Sequence, residues 1–325
     1  MMKTLCKRAA TLLLGLALAV DGRAVTLQPA ERVAHASQAP MLAAAWAGAQ
    51  KKRAVAVGAH GVVLLSDDHG ASWRQARTVP VDVTLTGVAF ANEREGWAVG
   101  HAGVVLHSAD GGDSWTLQRS APQEDRPLFA VHFFDREHGV AVGLWSLVLL
   151  TRDGGRHWQA QELPAPPGAK RADLNLYGLF AGPDGTLYAA AEKGYLLHSA
   201  DGGQQWSYLA TGYRGSFWAG AALADGVLLA GGLRGALYRS ADAGRSWGRI
   251  EAGTNTSIAG LVRLGERGAL AVSQDGQLLR SDDAGASFHP QAQPQRPRLA
   301  ALLADDANRA PLLFSNQGPL PIDSH

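Results

Sequence analysis

The sequence predicts an all-β protein folded as a seven-bladed β-propeller. Three observations carry this. A short motif recurs six times: Ser or Thr, Asp two residues on, Gly two further, and Trp or Phe three further. Its aspartates, Asp68, Asp110, Asp153, Asp201, Asp242 and Asp283, lie 42, 43, 48, 41 and 41 residues apart. A fixed period of this size belongs to solenoids, propellers and arrays. Each period also carries the punctuation of four short strands, which is the content of one blade.

The elements follow in order along one period. The first strand is apolar with a small residue at its third or fourth position, as in Leu85-Thr-Gly87, Leu128-Phe-Ala130, Leu176-Tyr-Gly178, Phe217-Trp-Ala219-Gly220 and Ile258-Ala259-Gly260. Strands that converge on an axis crowd one another, so only Gly or Ala fits there. An apolar run, a Gly-x-x-Gly turn and a second apolar run come next, as in Arg53 to Ser66, Gly96 to Ser108 and Ala230 to Ser240. This is a β-hairpin by its punctuation. The repeated motif then turns the chain into a fourth strand, such as Trp206-Ser-Tyr-Leu209. A short carboxylate accepts backbone N–H groups across such a turn. Gly supplies a backbone conformation that other residues resist, and the Trp covers the seam to the next blade. Most side-chain hydrogen bonds serve the backbone, and a hard cation wants six or more oxygens. The six aspartates are therefore read as structural, and no metal or cofactor is expected.

Beyond the sixth motif, Leu299 to Leu303 reads as another inner strand, and 311–321 matches the hairpin that starts at Leu270. The chain then stops one strand short. Val25 to Gln28 is the expected missing strand, closing the ring from both ends so that no sheet edge stays open. The expected blades are 40–79, 84–120, 127–163, 174–210, 216–251, 257–291 and 298–321 plus 25–28, within one domain over 25–325.

Composition agrees with one closed body. Hydrophobic content is 46%, ample for a core, and 39 glycines suit many tight turns. Charged residues make up 18% with no block of like sign, which argues against disorder and nucleic-acid binding. Lys3, Lys7 and Arg8 precede a short apolar run, Thr11 to Val20, and then Gly22-Arg23-Ala24. That order reads as an export signal over 1–24, too short to span a bilayer. Cleavage would remove the sole cysteine, Cys6, and leave 26 basic and 28 acidic residues, a net charge of −2. The mature chain is expected without a transmembrane segment, as a monomer in the periplasm or its thylakoid-lumen equivalent.

The repeated motif is similar to the Asp-box, or BNR repeat, of sialidases and several non-catalytic propellers. The fuller pattern Gly96-Trp-Ala-Val-Gly100-x-x-Gly103-Val-Val-Leu-x-Ser-x-Asp110-Gly-Gly112-x-x-Trp115, with Gly87-Val-Ala-Phe90 before it, resembles the photosystem II stability/assembly factor family. The resemblance runs from residue 41 to about 320. It implies a seven-bladed, non-enzymatic, exported propeller that helps membrane complexes assemble, and hence a membrane-associated or periplasmic protein partner. The copy departs from the pattern at Ser146, Ala243 and Ala284, which replace turn glycines, and at Phe288, which replaces Trp.

The rival is a sialidase-like glycosidase or a carbohydrate-binding protein. Sialidases are similar to one another in an Arg-Ile/Leu-Pro segment, three arginines on the substrate carboxylate, and a Tyr/Glu pair. Here Arg249-Ile250 is followed by Glu251. Gly244-Arg-Ser246-Trp-Gly248 fits a serine-hydrolase elbow, but that elbow joins a strand to a helix, and these residues overlap a repeat turn. No catalytic residue is assigned.

Residues shared by every repeat build the scaffold, so function is sought where the repeats differ. In a propeller the second-to-third-strand turns share one face with the links between blades. There the sequence places Trp145, Lys193 and Arg234 in turns, and Arg126, Lys170, Arg171, Tyr213, Arg214 and Arg298 in links, with Trp218 at the start of an inner strand. Arginines among aromatics suit a protein-binding surface. The 48-residue interval comes from an insertion over 164–173, and long variable loops are where function concentrates.

Overall fold

The computed structural model describes residues 27–293, 296–305 and 309–321. The expected export signal, with Cys6, lies outside them. The seven-bladed ring is present. Six four-stranded sheets and one three-stranded sheet follow one another, each antiparallel and running in sequence order from the axis to the rim. The inner strands are Met41–Ala47, Leu85–Phe90, Leu128–Phe133, Leu176–Ala181, Phe217–Ala222, Ile258–Leu264 and Leu299–Leu303. Among the described residues no helix is long and apolar enough to cross a membrane.

The core lies between the blades rather than at one centre. Each seam has its own apolar cluster. Trp97, Phe133 and Leu149 fill the seam between blades 2 and 3, and Trp97 stacks on Phe133 with ring centroids 3.5 Å apart. Burial of such side chains contributes about 1.5–3 kcal/mol each. Apart from Arg53 at its start in blade 1, the second strand of every blade is buried along its length, because blades cover both of its faces.

The inner strands crowd as the small third residues predict. A Cβ on Gly178 would stand 2.6 Å from the Trp218 carbonyl oxygen of the next blade. The resulting axial channel is narrow, about 230 Å3, and is lined by inner-strand residues from all seven blades.

Ring closure differs from the expectation. The last sheet has three strands, Leu299–Leu303, Leu312–Ser315 and Gly318–Pro319. Leu27 and Gln28 form no strand, while Val25 and Thr26 lie outside the described residues. Leu27 packs into the cluster between blades 1 and 2. Ala30 donates its N–H to the Val79 carbonyl at 3.0 Å, and the Gln75 amide holds the Glu31 carbonyl at 2.8 Å. An apolar side chain is better placed in a seam than on a sheet rim, and this draws the segment away from blade 7. The ring closes through side chains and through the turn at Ala36–Gln38, whose Ser37 carbonyl lies against Gly318 of blade 7. Phe314 meets Trp73 edge to face, and the Trp46 indole donates to the Ala304 carbonyl at 3.0 Å.

Candidate protein-binding face

Two kinds of turn separate the faces. The six repeat motifs form one. In the second blade Ser108 donates to Asp110 Oδ1 and accepts the Gly112 N–H at 2.8 Å, and the same carboxylate oxygen accepts the Ser114 N–H at 2.9 Å. Asp68, Asp153, Asp201, Asp242 and Asp283 repeat this arrangement. The Ser72 hydroxyl, then its N–H, then the Ser66 hydroxyl hold the Asp68 carboxyl down to about 2. Hydrogen bonds to the charged form have that effect. Ser246 donates both its N–H and its hydroxyl to Asp242, so the hydrolase-like pattern is a repeat turn. The six aspartates are thus occupied within their own turns. Among the described residues no cluster of three His, Cys, Asp or Glu side chains could hold a metal.

The opposite face carries the turns between second and third strands. In every blade such a turn donates an N–H to the carbonyl just before the inner strand, at Pro40, Thr84, Pro127, Asn175, Ser216, Ser257 and Arg298. Turns and inter-blade links therefore share one face. In blades 1 to 5 the first central residue of the turn sits in the left-handed region: His60, Ala102, Trp145, Lys193 and Arg234, with φ between 52° and 55°. These are two-residue turns of the type that matches strand twist and that prefers Asn-Gly.

The structure brings several sequence-chosen residues together across blades 3 to 5. Arg126 donates to the Trp145 carbonyl at 3.1 Å. Trp145 is 54% exposed, the most of any large apolar residue described, and its backbone N–H donates to Asn175 Oδ1 at 3.0 Å. Arg171 and Lys193 both approach Asp173 at 3.8 Å. Lys170, Arg214 and Arg234 are exposed, and among the described residues none of them forms an ion pair. Tyr213 is half-buried, packed on Phe217 and Tyr238. Its hydroxyl donates to the Leu233 carbonyl at 2.9 Å, and burial raises its pKa. It props the turn that carries Arg234. Arg298 stands apart, beside blade 6, with its guanidinium on Gln274 at 3.2 Å. Trp218 lines the channel.

Sequence reasoning missed a repeated bulge at the channel mouth. In all seven inner strands the pairing register skips the second residue: Leu42, Thr86, Phe129, Tyr177, Trp218, Ala259 and Ala300. A bulge re-aims its side chain, and all seven line the channel. Phe129 and Tyr177 stack at 5.6 Å. The Tyr177 hydroxyl donates to Glu192 Oε1 at 3.1 Å, and Asn175 donates to the same carboxylate through its backbone N–H and its side chain, both at 3.0 Å. The signal was present in the sequence as three consecutive aromatics at one position of the repeat.

Two solved structures superpose on nearly the whole chain. One is described as YCF48 bound to D1 peptide, with TM-score 0.71 and 18% identity over 90% of this chain and 98% of that one. The other is YCF48 from Cyanidioschyzon merolae, with TM-score 0.69 and 16% identity over 87% and 95%. At these identities the likeness shows the fold. No curated protein matches the sequence. The family model of the photosynthesis system II assembly factor YCF48 matches residues 26–123 and 118–302, which is most of the chain, and the chain belongs to that family.

Proposed function

We propose that this chain is a non-enzymatic, exported assembly or stability factor that binds a protein segment of a membrane complex. The binding face is formed by the turns and links of blades 3 to 5. One observation carries the reading. Three adjacent blades place Trp145, Lys193 and Arg234 at a left-handed turn position that favours Gly or Asn. His60 and Ala102 hold the same backbone on blades 1 and 2, so what sets blades 3 to 5 apart is the side chains presented there: a large exposed indole and two exposed cations. The family membership and the D1 peptide in the related structure's description support a protein client. Cations on this face suit an acidic segment.

The enzymatic alternative has one observation in its favour, the Tyr177–Glu192 pair. A sialidase-like site would also need arginines converging there. Among the described residues the pair's side chains bond Asn175, Ser216 and each other, and none of these is an arginine. Burial, opposed by Asn175 and reinforced by the Glu192 charge, raises the Tyr177 pKa, the wrong direction for a nucleophile. The pair is a brace for the mouth.

The test is capture of an acidic peptide by the purified chain and by Arg214→Glu/Arg234→Glu. Wild-type affinity should fall as salt rises, because exposed charges are screened beyond about 8 Å at physiological ionic strength. The double reversal should abolish capture with an unchanged melt. Capture that survives both reversals removes this face.

A further inference from the structure

The mouth of the channel is not symmetric, although its backbone is. Seven bulges present seven side chains at one level. On blades 3, 4 and 5 they are Phe129, Tyr177 and Trp218, and on blades 6 and 7 they are Ala259 and Ala300. Below them the channel continues past a ring of small residues, such as Gly87, Gly178 and Gly260. The result is a socket at the mouth, walled by aromatics on blades 3 to 5, low at the alanines of blades 6 and 7, and completed by Leu42 and Thr86 on blades 1 and 2. The wall is held rigid by the Phe129–Tyr177 stack and by Glu192, which fixes the Tyr177 hydroxyl. Among the described residues nothing accepts the Trp218 indole N–H. The same sector of the face carries Lys193, Arg214 and Arg234, all exposed. Blade 6 offers no such charge from its turn. Asp275 is occupied there by Gln277 and Thr254 at 2.8 and 3.0 Å.

We propose that this socket seats one bulky apolar side chain of an extended acidic segment, whose carboxylates lie on Arg214, Arg234 and Lys193. The occupant follows from charge and size. The cations around the aromatic wall select an acidic chain. A channel of about 230 Å3 holds the volume of only about seven to eight waters at ~30 Å3 each, so it admits a side chain and not a folded element. Aromatic side chains with arginines beside them are the residues in which binding hot spots are enriched. This inference rests on the protein-binding reading above and adds to it the anchor and its place.

The experiment uses short fluorescein-labelled, aspartate-rich peptides that are identical except for one central residue, Phe or Ala. Anisotropy titrations should show the Phe peptide binding at least about tenfold tighter. Trp218→Ala should erase most of that preference. Ala300→Trp on blade 7 fills the socket from the side across from Tyr177 without removing any existing contact, and it should erase the preference in the same way. Equal wild-type affinity for the two peptides overturns the socket and leaves the protein-binding face standing. Binding of neither peptide overturns the acidic-segment reading and the socket with it. A preference that persists in both variants places the anchor elsewhere and overturns the socket.

Discussion

Replacing Asp110 by Ala removes the centre of one repeat turn, and its cost can be worked from the contacts. The carboxylate accepts the Ser114 N–H and the Ser108 hydroxyl, both at 2.9 Å, and the Ser114 hydroxyl. It also meets Arg77 at 3.1 Å, but that guanidinium is 66% exposed, and a surface pair of this kind contributes about 0–1 kcal/mol. Ser114 can turn to water. Ser108 cannot: it is 1% exposed, and its oxygen still accepts the Gly112 N–H at 2.8 Å, so its proton is left without an acceptor. A buried group left unsatisfied costs about 1–3 kcal/mol. We expect a total near 2 kcal/mol. At roughly 2 °C per kcal/mol for a domain of this size, the melt should fall by about 4 °C. Asp110→Asn keeps an acceptor oxygen and should lose about half as much. Differential scanning calorimetry decides. An Ala variant that melts with the wild type but no longer captures its partner would show the aspartate to be functional and the structural assignment wrong.

Acid should unfold the ring through these same turns. Asp68, Asp153 and Asp242 are held at about 2, and Asp283 is also lowered. Depressed carboxyl groups stabilise the fold fully above their unfolded pKa, near 3.9, and lose this as pH falls through the folded value. Melting temperature should therefore drop between about pH 4 and pH 2, and a flat profile there would contradict the hydrogen-bonded turns. Gly194→Ala should destabilise far more than Gly212→Ala. Both have φ near +80°, but a Cβ on Gly194 would stand 1.9 Å from the Tyr213 carbonyl oxygen, while one on Gly212 meets nothing within 4 Å. Equal melts for the two would refute the close approach of turn and link. Deleting 25–28 should cost about 1–2 kcal/mol through the partly buried Leu27. Hydrogen exchange should then rise at Ala30 and the seam between blades 1 and 2. A rise at Leu312 to Pro319 instead would show that the segment does complete blade 7.

The blade pattern was legible because each repeated residue answers a local demand. The Asp needs only its own turn, and the small third residue needs only the neighbouring inner strand. Both demands recur seven-fold or nearly so, and periodicity exposes them. The ring closure was misread because it is settled once. Nothing local tells Leu27 that a seam between blades 1 and 2 offers more burial than the rim of blade 7. The candidate face was legible to the level of which turns share a side. It was not legible that Tyr213 would turn inward onto Phe217 and Tyr238, or that Arg298 would lie beside blade 6. Both depend on which neighbour each side chain finds. The bulge left a trace in the aromatics of blades 3 to 5 at one repeat position, but the alternation of a strand predicts the opposite orientation for its second residue, so the trace does not by itself reveal a skipped register.

The repeats separate backbone from side chain more sharply than the rule that function lies where repeats differ. The turn position of His60, Ala102, Trp145, Lys193 and Arg234 has one conformation in five blades, and the bulged position has one in seven. Neither is a variable loop. The long insertion over 164–173, where variability would first direct attention, contributes Asp173, which holds Arg171 and Lys193. A site built on repeated backbone inherits its precision from the scaffold, because strands and tight turns fix a side chain better than a loop does. The chain can then change chemistry blade by blade, aromatic on 3 to 5 and small on 6 and 7, without moving the backbone that presents it. A ring with near seven-fold backbone symmetry can in this way hold a polarised face.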